Sequence, residues 1–215
     1  MNSKLIFPKL EEFRIIPVVS IERAESSIKL ADALIEAGLP CAEITFRTKD
    51  AVSALKKISY ERKEVVLGAG TVLKVDQVKE ASDNGAEFIV SPGFNPKVVD
   101  YCLRNNITVI PGTSNPTDIE MALDFDLNVI KFFPAEGFGG IKTLKAISAP
   151  YSMMKFIPTG GINIQNCMGY LSFSKVLAVG GSWMAAGSLI EGGDFRKITR
   201  LTKEAMNLVH GKQEI

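Results

Sequence analysis

Histidine is almost missing from this chain of 215 residues, which has a single one, His210, near its C-terminal end. Protein zinc centres commonly use histidine ligands, and serine or cysteine nucleophiles are commonly paired with a histidine base. The sequence therefore predicts no metal site and no histidine-activated nucleophile. Proton transfer at an active site would fall to carboxylates, lysine or tyrosine.

Cysteine is also scarce, and its three positions, Cys41, Cys102 and Cys167, are far apart and form no CxxC pair. This pattern is typical of reduced thiols, so we expect a cytoplasmic protein. The first 14 residues mix charges with short apolar runs and predict no signal peptide. No window approaches the run of about 18 apolar residues that a transmembrane helix needs.

Neither sign of charge is in excess. The formal net charge is +1, and the chain has no basic run or stripe. Electrostatics therefore give no reason to expect nucleic acid or a membrane as a partner. The composition, 46% hydrophobic and 23% charged, is that of an ordinary globular protein, and the length suits one domain with a substantial core.

What the chain does contain is a regular alternation of short apolar runs and helical patterns. We predict strands at residues 15–19, 42–46, 65–68, 88–90, 108–110, 129–133, 155–157 and 176–179. We predict helices at about residues 22–37, 50–59, 75–84, 117–123, 141–147 and 195–209, and one that starts near Pro96. Asn115, just before Pro116, is a capping residue for one of them.

Eight strand–helix units in one chain predict an α/β fold, the closed (β/α)8 TIM barrel, because parallel strands each need a crossover helix. We expect a single domain over residues 1–215, with residues 1–14 as an N-terminal extension or short helix. A doubly wound open sheet is the alternative. Against it, no G-x-G-x-x-G follows the first predicted strand.

One lysine stands in the middle of the apolar stretch that runs from Asn128 to Glu136. Burying an ammonium group without a partner is unfavourable, and a neutral amine attacks carbonyl carbons. Strand alternation leaves Lys131 pointing into the barrel if Ile130 and Phe132 face the helices. Taken alone, this strand also fits an edge lysine that extends to water.

The second strand places further charges beside that lysine. Alternation puts Glu43, Thr45 and Arg47 on one face, with Ile44 and Phe46 on the other. A carboxylate, a guanidinium and an amine would then share one small cavity at the carboxyl ends of the strands, where barrel active sites lie. The alternative is a buried Glu43–Lys131 ion pair that only fixes the barrel.

Glycines close the last two predicted strands, in Thr159-Gly160-Gly161 and in Gly180-Gly181-Ser182. Backbone N–H groups at such positions can approach an anion, and Ser182 can begin a short helix whose N-terminus would attract phosphate. The loops after strands seven and eight commonly hold phosphate in barrels. The lone tryptophan, Trp183, is expected to pack beneath this loop.

Six short stretches together resemble the 2-keto-3-deoxy-6-phosphogluconate (KDPG) aldolases, a family that includes the 4-hydroxy-2-oxoglutarate (KHG) aldolases. They are EITFRT at 43–48, GAGTVL at 68–73, SPG at 91–93, KFFPAE at 131–136, PTGGI at 158–162 and GGSW at 180–183. The resemblance runs from about Ile15 to Phe195. It implies a class I aldolase on a (β/α)8 barrel, usually a homotrimer, in the Entner–Doudoroff route of carbohydrate metabolism.

The resemblance also implies roles at the reacting end of the substrate. Lys131 matches the lysine that forms the Schiff base, so no metal or other cofactor is needed. Glu43 matches the general acid and base. Arg47 and Thr71 match residues that hold the pyruvyl carboxylate, and Phe133 matches an aromatic residue that packs on the reactive centre.

The remaining assignments concern the rest of the substrate. Thr159 matches a residue near the keto and hydroxyl groups, and Pro92 is assigned to substrate binding through its motif. The phosphate site matches Gly160, Gly161, Gly181 and Ser182. The implied partners are a phosphorylated keto-deoxy sugar acid and pyruvate.

Three alternatives remain open at this point. A non-covalent phosphosugar isomerase or epimerase would share the phosphate loops but would give Lys131 no clear task. A non-catalytic barrel would bind phosphosugars without turnover. Within the aldolases, the substrate could be KDPG, KHG or the 6-phosphogalactonate epimer, and the residues do not select the stereochemistry at C4.

Overall fold

The computed structural model describes residues 6–211. Its strands are β1 Ile15–Val19, β2 Cys41–Thr45, β3 Val66–Gly70, β4 Phe88–Val90, β5 Thr108–Ile110, β6 Gly112–Thr113, β7 Val129–Phe132, β8 Lys155–Pro158 and β9 Val179–Gly181. Its α-helices are α1 Ile6–Phe13, α2 Ser27–Glu36, α3 Ala51–Glu61, α4 Val75–Asp83, α5 Pro96–Arg104, α6 Pro116–Asp124, α7 Gly140–Ser148, α8 Cys167–Leu171, α9 Gly187–Glu191 and α10 Phe195–Val209. Single turns of 3-10 helix lie at Ala24–Ser26, Glu136–Phe138 and Trp183–Ala185.

All strand pairs are parallel, which fits an α/β fold with a curled parallel sheet. Six strands form one sheet in the order β5-β4-β3-β2-β1-β9, and three form another in the order β6-β7-β8. Two isolated parallel bridges, Phe156 to Val176 and Thr159 to Gly180, connect β8 with the segment that contains β9. The two sheets therefore meet along that side of the molecule.

The strands form where the sequence predicts buried branched and aromatic side chains, because a parallel sheet covered by helices is apolar on both faces. Every residue of β2, β3 and β7 is buried. The helices present one apolar face to the sheet. In α10, Ile198, Thr202, Ala205 and Val209 are buried, at the three- and four-residue spacing of one helix face.

Two predicted helix starts are confirmed by their capping contacts. The side chain of Asn115 accepts a hydrogen bond from the backbone N–H of Asp118, and Pro116 occupies the first turn of α6. Pro96 is likewise in the first turn of α5, where Asn95 is the capping residue. No helix among residues 6–211 is long and apolar enough to cross a membrane.

The structure departs from the predicted elements at two strands. The fifth strand continues beyond Pro111 as β6, because proline has no N–H to donate and interrupts the ladder. The eighth strand, predicted at residues 176–179, is observed at Val179–Gly181, and Val176 contributes only an isolated bridge to Phe156. Leu177 donates its N–H to Phe156 O of β8, and pairing with β1 begins only at Val179. The five-residue helices α8 and α9 were not predicted, since they are too short to show a helical period.

Candidate active site

Lys131 and Glu43 form a buried ion pair inside the curled sheet. Lys131 lies on β7 and Glu43 on β2, and Lys131 Nζ is 3.4 Å from Glu43 Oε1. The two residues are only 6% and 3% exposed. The inward orientation predicted from strand alternation is therefore confirmed for both side chains, and Lys131 is not an edge lysine that reaches water.

Neighbouring segments on both sides hold the backbone of Lys131. Its N–H donates to Pro111 O at 2.9 Å, and its carbonyl accepts from Thr113 Oγ1 at 3.0 Å. On the other side, Lys131 is in register with Ile157 of β8. A lysine held in this way presents its amine at a fixed position.

A glycine makes room for the carboxylate of Glu43. Gly70, on the neighbouring strand β3, faces that side chain so closely that an added Cβ would lie 2.2 Å from Glu43 Oε1. Any larger residue would push the carboxylate away from Lys131. Gly70 therefore belongs to the site, although sequence reasoning gave it no role beyond its motif.

Arg47 and Thr71 meet next to this pair. Arg47 Nε donates to Thr71 Oγ1 at 3.1 Å. Among residues 6–211, the two terminal guanidinium nitrogens of Arg47 have no hydrogen-bond partner, so they remain available for a bidentate carboxylate. Thr71 has a φ of +58°, a left-handed conformation that costs a β-branched residue about 1–3 kcal/mol. Such strain is common at functional sites.

A cavity of about 160 Å³ opens above the Lys131 amine. It brings together many of the predicted site residues, namely Arg47, Lys131, Phe133, Thr159, Gly160, Gly161, Gly181 and Ser182. Lys131 Nζ lies 5.1 Å from the centre of the Phe133 ring, a distance at which a cation is attracted to an aromatic face. Val18, Ile162 and Gly180 also line the cavity, and of these only Gly180 was expected near an anion, with no substrate contact assigned to any of the three.

The other predicted residues stand outside the lining of this cavity. Glu43 reaches it through its contact with Lys131, and Thr71 through its contact with Arg47. Pro92 follows β4, and its carbonyl oxygen would lie 2.1 Å from a Cβ added to Gly112. The structure therefore places Pro92 against β6 rather than on the cavity wall.

Two backbone segments form the far end of the cavity. Gly160 and Gly161 have φ values of +99° and +80°, a left-handed conformation that glycine adopts without strain. Ser182 precedes the 3-10 turn Trp183–Ala185, and the Trp183 ring packs against Gly181 as predicted. Within residues 6–211, the backbone N–H groups of Gly161 and Ser182 have no acceptor, so both can bind an anion.

Comparison with known proteins identifies the family of this chain. The family model "Aldolase: KDPG and KHG aldolase" matches residues 6–201. The chain belongs to the KDPG and KHG aldolase family. It is 48% identical over 204 residues to the 2-dehydro-3-deoxy-phosphogluconate aldolase of Treponema pallidum, covering 95% of this chain and 97% of that one.

Two solved structures of KDPG aldolases are also similar. The enzyme of Legionella pneumophila, with pyruvate captured as a covalent carbinolamine intermediate, has a TM-score of 0.90 and 35% identity. The match covers 93% of this chain and 97% of that one. The Zymomonas mobilis enzyme with 3-phosphoglycerate has a TM-score of 0.89 and 36% identity, covering 95% and 96%.

Among residues 6–211, no three or more histidine, cysteine, aspartate or glutamate side chains lie together where they could hold a metal ion.

Proposed function

We propose that this KDPG/KHG-family protein is a class I aldolase that cleaves KDPG to pyruvate and glyceraldehyde 3-phosphate. The observation that carries the proposal is the buried contact of 3.4 Å between Lys131 Nζ and Glu43 Oε1, at the base of a cavity whose far end is built from glycine backbone. A desolvated amine is a nucleophile, and an adjacent carboxylate can move the protons of each step.

The reaction begins when Glu43 accepts a proton from Lys131 and the resulting neutral amine attacks the C2 ketone of the substrate. Glu43 returns that proton to the hydroxyl of the carbinolamine, which leaves as water, and a protonated C=N bond, the iminium, remains. This cation withdraws electrons from the neighbouring C3–C4 bond. Phe133 lies where its ring face can stabilise the positive charge on nitrogen.

Bond cleavage follows when Glu43 removes the proton of the C4 hydroxyl, directly or through a water molecule. The C3–C4 electron pair moves into the iminium to give an enamine, and the C4 fragment leaves as the aldehyde, glyceraldehyde 3-phosphate. Glu43 then returns its proton to C3 of the enamine. Hydrolysis of the iminium restores the Lys131 amine and releases pyruvate.

Cationic and amide groups are placed to hold the two anionic ends of such a substrate. The free guanidinium nitrogens of Arg47 suit the carboxylate beside C2, with Thr71 Oγ1 fixing the guanidinium plane. The backbone amides of Gly161 and Ser182 suit the phosphate, together with Gly160 and Gly181. Thr159 lines the same cavity and is assigned to the keto and hydroxyl groups. Pro92 keeps a predicted role in substrate binding.

The architecture around the site is part of the same proposal. We propose that the curled sheet closes as one (β/α)8 barrel domain, supported by the Thr159–Gly180 bridge and by the direct succession of β5 and β6. A homotrimer in the cytoplasm is proposed from the family resemblance. Light scattering of the purified protein tests the trimer, since a monomeric mass would contradict it.

Borohydride reduction in the presence of pyruvate tests the chemistry. We expect a pyruvate-derived mass increase on the peptide that contains Lys131, and neither adduct nor turnover in Lys131→Ala. Lys142, an exposed lysine on α7, provides the matched control, because Lys142→Ala should keep both. Absence of an adduct on folded wild-type protein would contradict the aldolase mechanism and favour a non-covalent isomerase or a binding protein.

The preferred substrate is tested by turnover of three compounds. The anion-binding loops favour KDPG over the unphosphorylated KHG as the better substrate. Cleavage of KHG to pyruvate and glyoxylate is expected at a higher KM. Faster turnover of the 6-phosphogalactonate epimer than of KDPG would instead assign the protein to the galactonate series.

A further inference from the structure

A carboxylate stands next to the glycine loop that we assign to phosphate. Glu136 begins the 3-10 turn after β7, and its backbone N–H donates to Gly160 O at 3.0 Å. The aliphatic part of its side chain lies over Gly161, the residue that follows Gly160. A Cβ added to Gly161 would be 2.6 Å from Glu136 Cβ and from Cγ. Glu136 thus contacts both glycines, Gly160 through its backbone and Gly161 through its side chain.

A buried tyrosine determines where the charge of Glu136 lies. Tyr170, on α8, is 1% exposed, and its hydroxyl donates a hydrogen bond to Glu136 Oε1. The same oxygen lies over Gly140, at 3.0 Å from an added Cβ. The aliphatic part of the Glu136 side chain therefore contacts Gly161, whereas the carboxylate is turned toward the start of α7.

The hydroxyl of Tyr170 stays protonated at neutral pH and can therefore donate its hydrogen bond to Glu136. Burial and the neighbouring Glu136 carboxylate raise the pKa of Tyr170 above its usual value. A second contact joins the same helix to the loop, because Asn166 Nδ2, just before α8, donates to Gly161 O at 3.0 Å. Helix α8 thus fixes the glycine loop and its neighbouring carboxylate together.

The hydrogen bond from Tyr170 to Glu136 matters because Glu136 carries a negative charge close to the loop that we assign to phosphate. Glu136 is exposed and its Cβ and Cγ already lie against Gly161, so without Tyr170 its carboxylate is free to rotate about the side-chain bonds toward that loop. A negative charge there would repel a bound phosphate. The hydrogen bond to Tyr170 excludes those rotamers.

We propose that Tyr170 is a positioning residue that holds the Glu136 carboxylate away from the phosphate-binding loop and so favours phosphorylated over unphosphorylated substrates. The proposal rests on the proposed function for its substrates. It extends the site to a residue on α8 that lines no part of the cavity.

The test compares KM values for KDPG and KHG in wild type, Tyr170→Phe, Glu136→Gln and the double variant. We expect Tyr170→Phe to raise KM for KDPG about fivefold, the effect of one like charge at about 4 Å in water, with a smaller change for KHG. Adding Glu136→Gln should restore KM for KDPG, because the released side chain is then neutral. The fivefold difference should also shrink as salt is added, which a loss of packing would not produce.

Tyr151 provides the matched control. It is a nearly buried tyrosine whose hydroxyl donates to a glutamate, Glu120, at 3.0 Å, and it lies outside the cavity. Tyr151→Phe should leave the ratio of the two KM values unchanged. Equal KM changes for both substrates in Tyr170→Phe, or no recovery in the double variant, would overturn the proposal and leave a packing role.

A binding measurement keeps this result separate from the aldolase proposal. Trp183, the only tryptophan, contacts Gly181 at the cavity, so its fluorescence can report titration with inorganic phosphate. Phosphate affinity should fall about fivefold in Tyr170→Phe and return in the double variant, whether or not the protein turns over KDPG. Failure of pyruvate trapping would contradict the aldolase function alone, whereas unchanged phosphate affinity would contradict the role of Tyr170 alone.

Discussion

The two ends of the cavity are built in different ways. At one end, Lys131 and Glu43 project from strands whose neighbours pair with them, and both side chains are buried. At the other end, Gly160, Gly161 and Ser182 belong to loops, and they offer backbone groups and one serine hydroxyl rather than charged side chains. The buried end suits chemistry that needs a fixed amine and carboxylate, and the loop end suits recognition of an anion that arrives from water.

This difference predicts that changes at the buried end reduce kcat, whereas changes at the loop end raise KM. Four experiments test the comparison, from the largest expected effect to the smallest.

Replacing the carboxylate tests the buried end most directly. Glu43→Gln should lower kcat by about 10²–10⁴, the usual contribution of a general acid or base, yet should still allow Lys131 to form an imine with pyruvate. Steady-state kinetics and borohydride trapping measure the two effects separately. If trapping falls as much as kcat, Glu43 is needed for imine formation itself, and its assignment to the later proton transfers is wrong.

The second prediction tests the space around Glu43 without changing its charge. Gly70→Ala should displace the carboxylate from Lys131, lower kcat in the same direction as Glu43→Gln, and lower the free energy of unfolding by about 1–3 kcal/mol through overpacking. Gly187→Ala is the control, since a Cβ there would meet nothing within 4 Å. Kinetics and urea unfolding measure both variants. A normal kcat in Gly70→Ala would mean that the position of Glu43 is not critical.

The third prediction concerns the loop end. Ser182→Ala should raise KM for KDPG more than KM for KHG and should change kcat little, because Ser182 lines the end of the cavity that we assign to the phosphate, where its hydroxyl can donate a hydrogen bond beside the backbone amides. Measuring both substrates with one enzyme preparation removes errors in active-site concentration. Equal effects on the two substrates would place the phosphate elsewhere.

The fourth and smallest effect is on stability, and it belongs to the buried end. Burial, with help from Glu43 and Glu87, raises the pKa of Cys41 on β2 above its ordinary value of 9.0, and burial raises that of Cys102 to about 12. The unfolded chain loses these protons first as pH rises, so the stabilisation is complete below about pH 9 and declines above it.

Urea unfolding between pH 8.5 and 10 measures this decline, which is at most about 1.4 kcal/mol per pH unit for each thiol. Cys41→Ala should make the dependence shallower. If the variant keeps the wild-type slope, other groups cause the alkaline loss of stability.

Much of the candidate site could be predicted from local patterns. Alternation along two strands was enough to orient Glu43 and Lys131 inward, because side chains on a strand point to opposite faces in turn. Capping of α6 by Asn115 was also predictable, because a cap depends only on residues within one turn of the helix start. The resemblance to the family motifs then predicted the loop residues that line the cavity.

Contacts between distant segments could not be predicted in this way. Gly70 shows no sign in its own strand that it must leave room for Glu43, and Thr71 shows none that its φ is positive. The Glu136–Tyr170 hydrogen bond depends on α8, a helix too short to be recognised in the sequence.

The sequence by itself determined which residues are buried and which way the strand side chains point, since both follow from short-range periodicity. Only the tertiary structure decided the distances, because Lys131 and Glu43 are 88 positions apart and meet through the order and register of parallel strands. The start of β9 was decided in the same way. Apolar residues at 176–179 favour a strand, but pairing with β1 begins only where Val179 is in register with Ile15.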